Sequence, residues 1–242
     1  MRRLIEEGQL PQIQRWLVEP GTFTEAVTCF PSTTGPAYLP FLTGRFPGHC
    51  NLPGIRWMDR REYEERSWSV RRVRSYVGWE SFLMNSDLRE GTTTLFDRLH
   101  GGVNVFSPIS SKNGVGHERG RLSKAALFAY AHYSEHWEAV DFFGQSRFAR
   151  AVAAGNRFVF GAFMAVDELS HHIDSTDDRV LRVYKRFDAF VGRICEGLER
   201  SGELDRSIVG VISDHGMTPV DRHLELTTFC EEKGLKTFAY PR

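Results

Sequence analysis

The stretch 157–217 constrains the fold of this chain more than any other. Residues 157–166 (RFVFGAFMAV) form an almost continuous apolar run, the pattern of a strand buried on both faces. Between Thr176 and Arg200, the residues Val180, Val183, Tyr184, Phe187, Phe190, Val191, Ile194 and Leu198 recur at helical spacing. Asp177 and Asp178 suit the first turn of that helix, and Gly202 suits its end. Residues 208–212 (IVGVI) are again short, apolar and β-branched. Strand, long helix and strand make a βαβ unit, in which the two strands run parallel across a right-handed crossover. The expected class is therefore α/β with a mainly parallel central sheet.

Polar residues stand at the ends of both predicted strands. Asp167-Glu168-Leu169-Ser170-His171-His172 follows the first, and Ser213-Asp214-His215-Gly216 follows the second. Open α/β sheets bind ligands at the carboxyl ends of their strands. The pattern puts Asp167 and Asp214 at equivalent places, with His171 and His215 close behind. The plain alternative is a polar turn after each core strand. Two carboxylates and two imidazoles at one rim suit zinc, or manganese where carboxylates dominate. Two such ions clamp the attacking and leaving oxygens of a phosphoryl transfer, and a hydroxyl beside one becomes a nucleophile.

Upstream, residues 24–30 (TEAVTCF) read as a strand, and 31–44 as a hydroxyl-rich strand end that opens a helix. Thr34 falls near that helix N-terminus, where free N–H groups and the dipole favour anions. Ser32, Thr33 and Thr34 are equally simple N-cap candidates. Residues 45–91 are rich in Arg, Gly, Pro and aromatics and read as a loop-rich insert, with His49 as a polar loop residue or a contact. A short helix at 92–100 and a strand at 103–106 follow. The glycine-rich 110–120 lacks the order of a nucleotide-phosphate loop. Residues 123–137 and 142–156 are helical by pattern, their aromatics reading as core. At the N-terminus, Leu4, Ile5, Leu10, Ile13, Trp16 and Leu17 suggest helical turns interrupted by Gly8 and Pro11.

The 242 residues are read as one domain, 1–242. Lys+Arg and Asp+Glu both number 31, so the formal net charge is zero and no nucleic-acid polymer is expected as a partner. Four dispersed cysteines (Cys29, Cys50, Cys195 and Cys230) form neither a disulfide framework nor a zinc ribbon. With no membrane-length apolar run and no signal-like N-terminus, a cytoplasmic protein without a membrane segment is the expectation. The oligomeric state is not legible.

Three blocks resemble the alkaline phosphatase superfamily, and within it the type I phosphodiesterase/nucleotide pyrophosphatase family: residues 30–44 (FPSTTGPAYLPFLTG), 167–171 (DELSH) and 213–217 (SDHGM). The resemblance implies a three-layer α/β sandwich and a metal-dependent hydrolase of phosphodiester or phosphoanhydride bonds in a small-molecule substrate. It implies Thr34 as nucleophile, with Asp167 and His171 on one metal and Asp214, His215 and Thr34 on the other. Two zinc ions are usual, with manganese an alternative. A phosphomonoesterase of the same superfamily, or a catalytically inert fragment, are the alternatives carried forward.

The chain departs from that pattern in three places. The family carries an aspartate at the end of a strand before the helix that 1–16 resembles, and a further histidine well beyond the SDHGM block. Neither has a counterpart here, and His223 lies too close to Asp214 to serve. The expectation is an incomplete sandwich with an uncovered sheet edge, weak metal binding and slow turnover. Ala37 stands where many nucleotide pyrophosphatases carry an asparagine that supports the phosphate oxygens.

Overall fold

The computed structural model describes residues 1–66, 68–99, 101–111, 121–222 and 224–235. His100, His223 and most of the predicted 110–120 loop lie outside the described residues.

The α/β character is centred on two strands, β3 (Val103–Val105) and β4 (Val159–Gly161). They pair in parallel, with Val103 opposite Val159 and Val105 opposite Gly161. Phe96 packs edge-on against Phe158 from β4's approach, at 5.1 Å between ring centroids, and Tyr38 meets Phe160 at 6.1 Å. The helices Trp137–Ala153, Ala165–His172 and Asp178–Arg200 pack against one another, the first also covering β3 and β4. Together they close a core that includes Leu39, Leu42, Phe96, Val140, Ala165, Leu169 and Val180.

A second cluster joins Leu4, Ile5, Leu10 and Ile13 to Val191 and Cys195 of the long helix. The N-terminal turns, Arg2–Glu6 and Pro11–Ile13 with the π-turn Gln14–Val18, lie on that helix. Asp188 ties them down by accepting the backbone N–H groups of Gln12 (3.2 Å) and Ile13 (2.8 Å).

The 45–91 stretch is more ordered than a loop-rich insert implies. Within it β1 (Arg56–Met58) pairs antiparallel with β2 (Val73–Ser75). Arg74 sits over the Trp57 ring and pairs with Asp87 at 3.1 Å, which also accepts a hydrogen bond from the Tyr76 hydroxyl.

Two strand expectations are corrected. The apolar run 157–166 holds only the three-residue β4, and the chain turns into a helix at Ala165. The cause is Asp141 on the neighbouring helix, which accepts the N–H groups of Met164 (2.8 Å) and Ala165 (3.3 Å) and so supplies a helix start. Asp167 therefore stands in the first turn of that helix instead of at the strand's tip.

The second correction concerns 24–30 and 208–212, which join no ladder. Among the described residues neither segment forms a backbone–backbone hydrogen bond. Val209 and Val211 pack on the second cluster, while Ile208 and Ile212 face outward, so the period of two survives without a partner strand. Val27 and Phe30 are almost wholly exposed. An apolar pattern sets which side chains face the core. A ladder also needs a neighbouring backbone within hydrogen-bond reach.

Candidate active site

Thr34 lies just before a tight entry into short helical turns. The Thr33 carbonyl accepts the Ala37 N–H at 3.0 Å, and Pro36–Tyr38 runs on into Leu39–Thr43. Gly35 makes the entry at φ +94, and a Cβ there would press on Met84 Sδ at 2.9 Å. The backbone conformation favours glycine, while the Met84 thioether is a flexible side-chain end that could move aside.

Asp167 and His171 are one turn apart on the Ala165–His172 helix, hence on one face, with Nε2 3.6 Å from Oδ2. Asp214 and His215 follow the unladdered 208–212. There the His215 N–H donates to Asp214 Oδ1 at 3.1 Å, and the Thr28 hydroxyl donates to the Asp214 carbonyl.

The five residues singled out in the sequence lie together. His215 Nε2 stands 3.3 Å from Thr34 Oγ1, 3.5 Å from Asp214 Oδ2 and 3.9 Å from Asp167 Oδ1. His171 joins from the outer side through Asp167 and is more exposed than His215. Among the described residues no hydrogen bond joins the Ser32 or Thr33 side chain to this group, and Thr33 Oγ1 is buried without a partner.

The tautomer of His215 follows from its other nitrogen. Nδ1 is 3.1 Å from the Gly216 carbonyl. A carbonyl oxygen only accepts, so Nδ1 carries the proton in the neutral ring and Nε2 presents a lone pair. That lone pair faces a hydroxyl and two carboxylates. Asp214 Oδ2 is buried with no hydrogen-bond partner, 3.5 Å from that nitrogen. Burial pushes the Asp167 carboxyl above its usual range, His171 and His215 pull it back when they carry a charge, and the Asp214 charge adds to the rise.

Acceptors that face one another in this way have the chemistry of a cation site. The oxygen and imidazole donors suit a divalent ion such as zinc. Among the described residues, however, no three His, Cys, Asp or Glu side chains are arranged to hold an ion as they stand. The donors fit in kind and in the orphaned Asp214 oxygen. Closing a coordination shell would require these side chains to move.

Three residues near the site carried no sequence signal of their own. Tyr38, four after Thr34, is buried; its hydroxyl pKa is raised first by burial and then by the charges of Asp214, Asp167 and Asp141. Glu168 has its carboxyl pushed up by burial and by Asp167. Asp141 lies among aromatics in a helix whose pattern reads as core. The one available clue was an acid placed among apolar residues.

No described helix is long and apolar enough to cross a membrane. No curated protein and no solved structure matches the chain. A family model does, over residues 1–240, and its description is type I phosphodiesterase / nucleotide pyrophosphatase. With nearly the whole length matched and the residues 34, 167, 171, 214 and 215 gathered in one place, the chain belongs to the type I phosphodiesterase / nucleotide pyrophosphatase family.

Proposed function

We propose that this chain hydrolyses phosphodiester or phosphoanhydride bonds of a small molecule, with Thr34 as the nucleophile. The observation that carries the proposal is the meeting of Thr34 Oγ1, His215 Nε2, Asp214 Oδ2 and Asp167 Oδ1 within 3.3–3.9 Å of the imidazole nitrogen. The family is of hydrolase type and generally uses divalent metals. Asp167 and His171 would hold one ion, and Asp214, His215 and Thr34 the other, zinc being the best match to the donors. Bound cations of this kind lower the pKa of an adjacent hydroxyl and offset charge on phosphate oxygens.

The chain's own residues supply the remainder. Thr34 Oγ forms a bond to phosphorus as the bond to the leaving oxygen breaks, and water then cleaves the threonyl ester. The Gly216 carbonyl accepts from His215 Nδ1–H, which fixes the tautomer and turns Nε2 towards Thr34. Ala37 is buried and apolar, so no side-chain amide supports the phosphate oxygens from that position. That observation brings a phosphomonoester into the test beside the diester.

The test is metal analysis of the purified chain together with hydrolysis of a chromogenic phosphodiester and a chromogenic phosphomonoester. Thr34→Ala should lower kcat on the order of 10³-fold or more, and Ser32→Ala only a few-fold. Equal losses from the two changes would undo the assignment of Thr34. A preference for the monoester would move the substrate class.

A further inference from the structure

We propose that Asp141 is a positioning residue: its buried carboxylate, reaching from the helix Trp137–Ala153, caps the helix Ala165–His172 and so sets where Asp167 and His171 stand. The inference rests on reading those two residues as metal ligands.

Among the described residues Asp141 and Asp188 are the two acids buried as whole residues. Both spend their oxygens on backbone N–H groups at a helix start. Asp141 Oδ1 accepts from Met164 at 2.8 Å and from Ala165 at 3.3 Å, and Oδ2 lies 3.4 Å from the Ala165 N–H. The helix has no cap of its own, since its N-cap residue is Met164, whose thioether accepts hydrogen bonds only weakly. The cap therefore comes from another element, across 23 residues of sequence. Asp167 is the third residue of this eight-residue helix, and His171 the seventh. A pivot or fray at the first turn would carry both away from His215.

The groups facing Asp141 are identifiable on every side. Glu138, on its own helix, has Oε2 buried without a hydrogen bond. Arg186 and Arg193 of Asp178–Arg200 line the same cavity of about 240 Å³ beside it. The Tyr38 hydroxyl feels its charge from the side of the candidate site. Burial pushes the Asp141 carboxyl up to about 7, and the two N–H donors pull against that rise. The protonated form still offers Oδ1 as an acceptor, so asparagine is its close mimic.

Asp188 provides a matched control. It too is a buried carboxylate that takes two N–H groups, but it caps Pro11–Ile13, which carries no candidate ligand. The experiment compares full-length wild type, Asp141→Ala, Asp141→Asn and Asp188→Ala. Amide hydrogen exchange is followed in metal-free protein, and zinc affinity is measured by competition with a chromogenic chelator. Asp141→Ala should accelerate exchange within 164–172 and weaken zinc binding about 10- to 100-fold, the range for groups that orient metal ligands. Asp141→Asn should stay within about threefold of wild type, because Oδ1 is retained. Asp188→Ala should accelerate exchange near residues 10–18 and leave zinc affinity within about twofold.

Unchanged exchange in 164–172 on Asp141→Ala would overturn the proposal. So would zinc affinity that stays level, or that falls equally in Asp188→Ala. A wild-type chain that takes up no zinc would defeat the metal-centre reading on which the inference rests. That failure shows in the wild type alone, before any variant is compared.

Discussion

Asp214 shows at the scale of one residue why such a site is unstable by itself. Its Oδ2 is buried, has no hydrogen-bond partner and lies 3.5 Å from His215 Nε2. An unsatisfied buried acceptor costs stability, and the Asp167 carboxylate adds like-charge repulsion. Asp214→Asn should therefore stabilise the metal-free chain on the order of 1 kcal/mol in urea unfolding while lowering zinc uptake. A less stable variant would mean that Asp214 is satisfied in solution. Asp141 gives a pH dependence whose sign is fixed. Its carboxyl rises from 3.8 to about 7 on folding. Between those values the folded chain keeps a proton that the unfolded chain has lost. The stabilisation is full below about pH 4 and is lost as pH rises through about 7. Measured against Asp141→Asn, which does not titrate there, wild type should lose about 2–3 kcal/mol of relative stability between pH 5 and 7. A flat difference across that range would place the group near its unperturbed value.

The long helix Asp178–Arg200 and the short helix Ala165–His172 differ in how they are started. Asp177 caps the first from its own chain, its carboxylate accepting the Arg179 N–H at 2.8 Å. Asp177→Ala should cost about 1 kcal/mol, read as a lower urea midpoint with no change in kcat, because the cap lies on solvent and, among the described residues, hydrogen-bonds to none of the site residues. A loss of activity larger than the loss of stability would show that the helix start is coupled to the site. The long helix was legible because its apolar residues repeat over six turns and its N-terminal acids are local signals. The short helix was not. Its start depends on a carboxylate 23 residues away in sequence, and the aromatic run before it reads equally well as a longer strand.

Across the whole molecule, the segments 24–30 and 208–212 expose Val27, Phe30, Ile208 and Ile212 without laddering. Unpaired extended backbone with outward apolar side chains favours self-association. The double change Val27→Lys and Ile208→Lys should shift the chain towards monomer in sedimentation velocity and leave the β3–β4 core unchanged by circular dichroism. Equal association in both proteins would place the sticky surface elsewhere. From the sequence came the α/β class, the helix at 176–200, and Thr34, Asp167, His171, Asp214 and His215 as a candidate group. All of these rest on local periodicity or on short blocks of polar residues. Tertiary structure alone decided whether 24–30 and 208–212 found partners, where β4 gave way to a helix, and which proton His215 carries. Those outcomes depend on which donor or acceptor a distant element brings within about 3 Å, and hydrogen bonds of that kind leave no period in the chain.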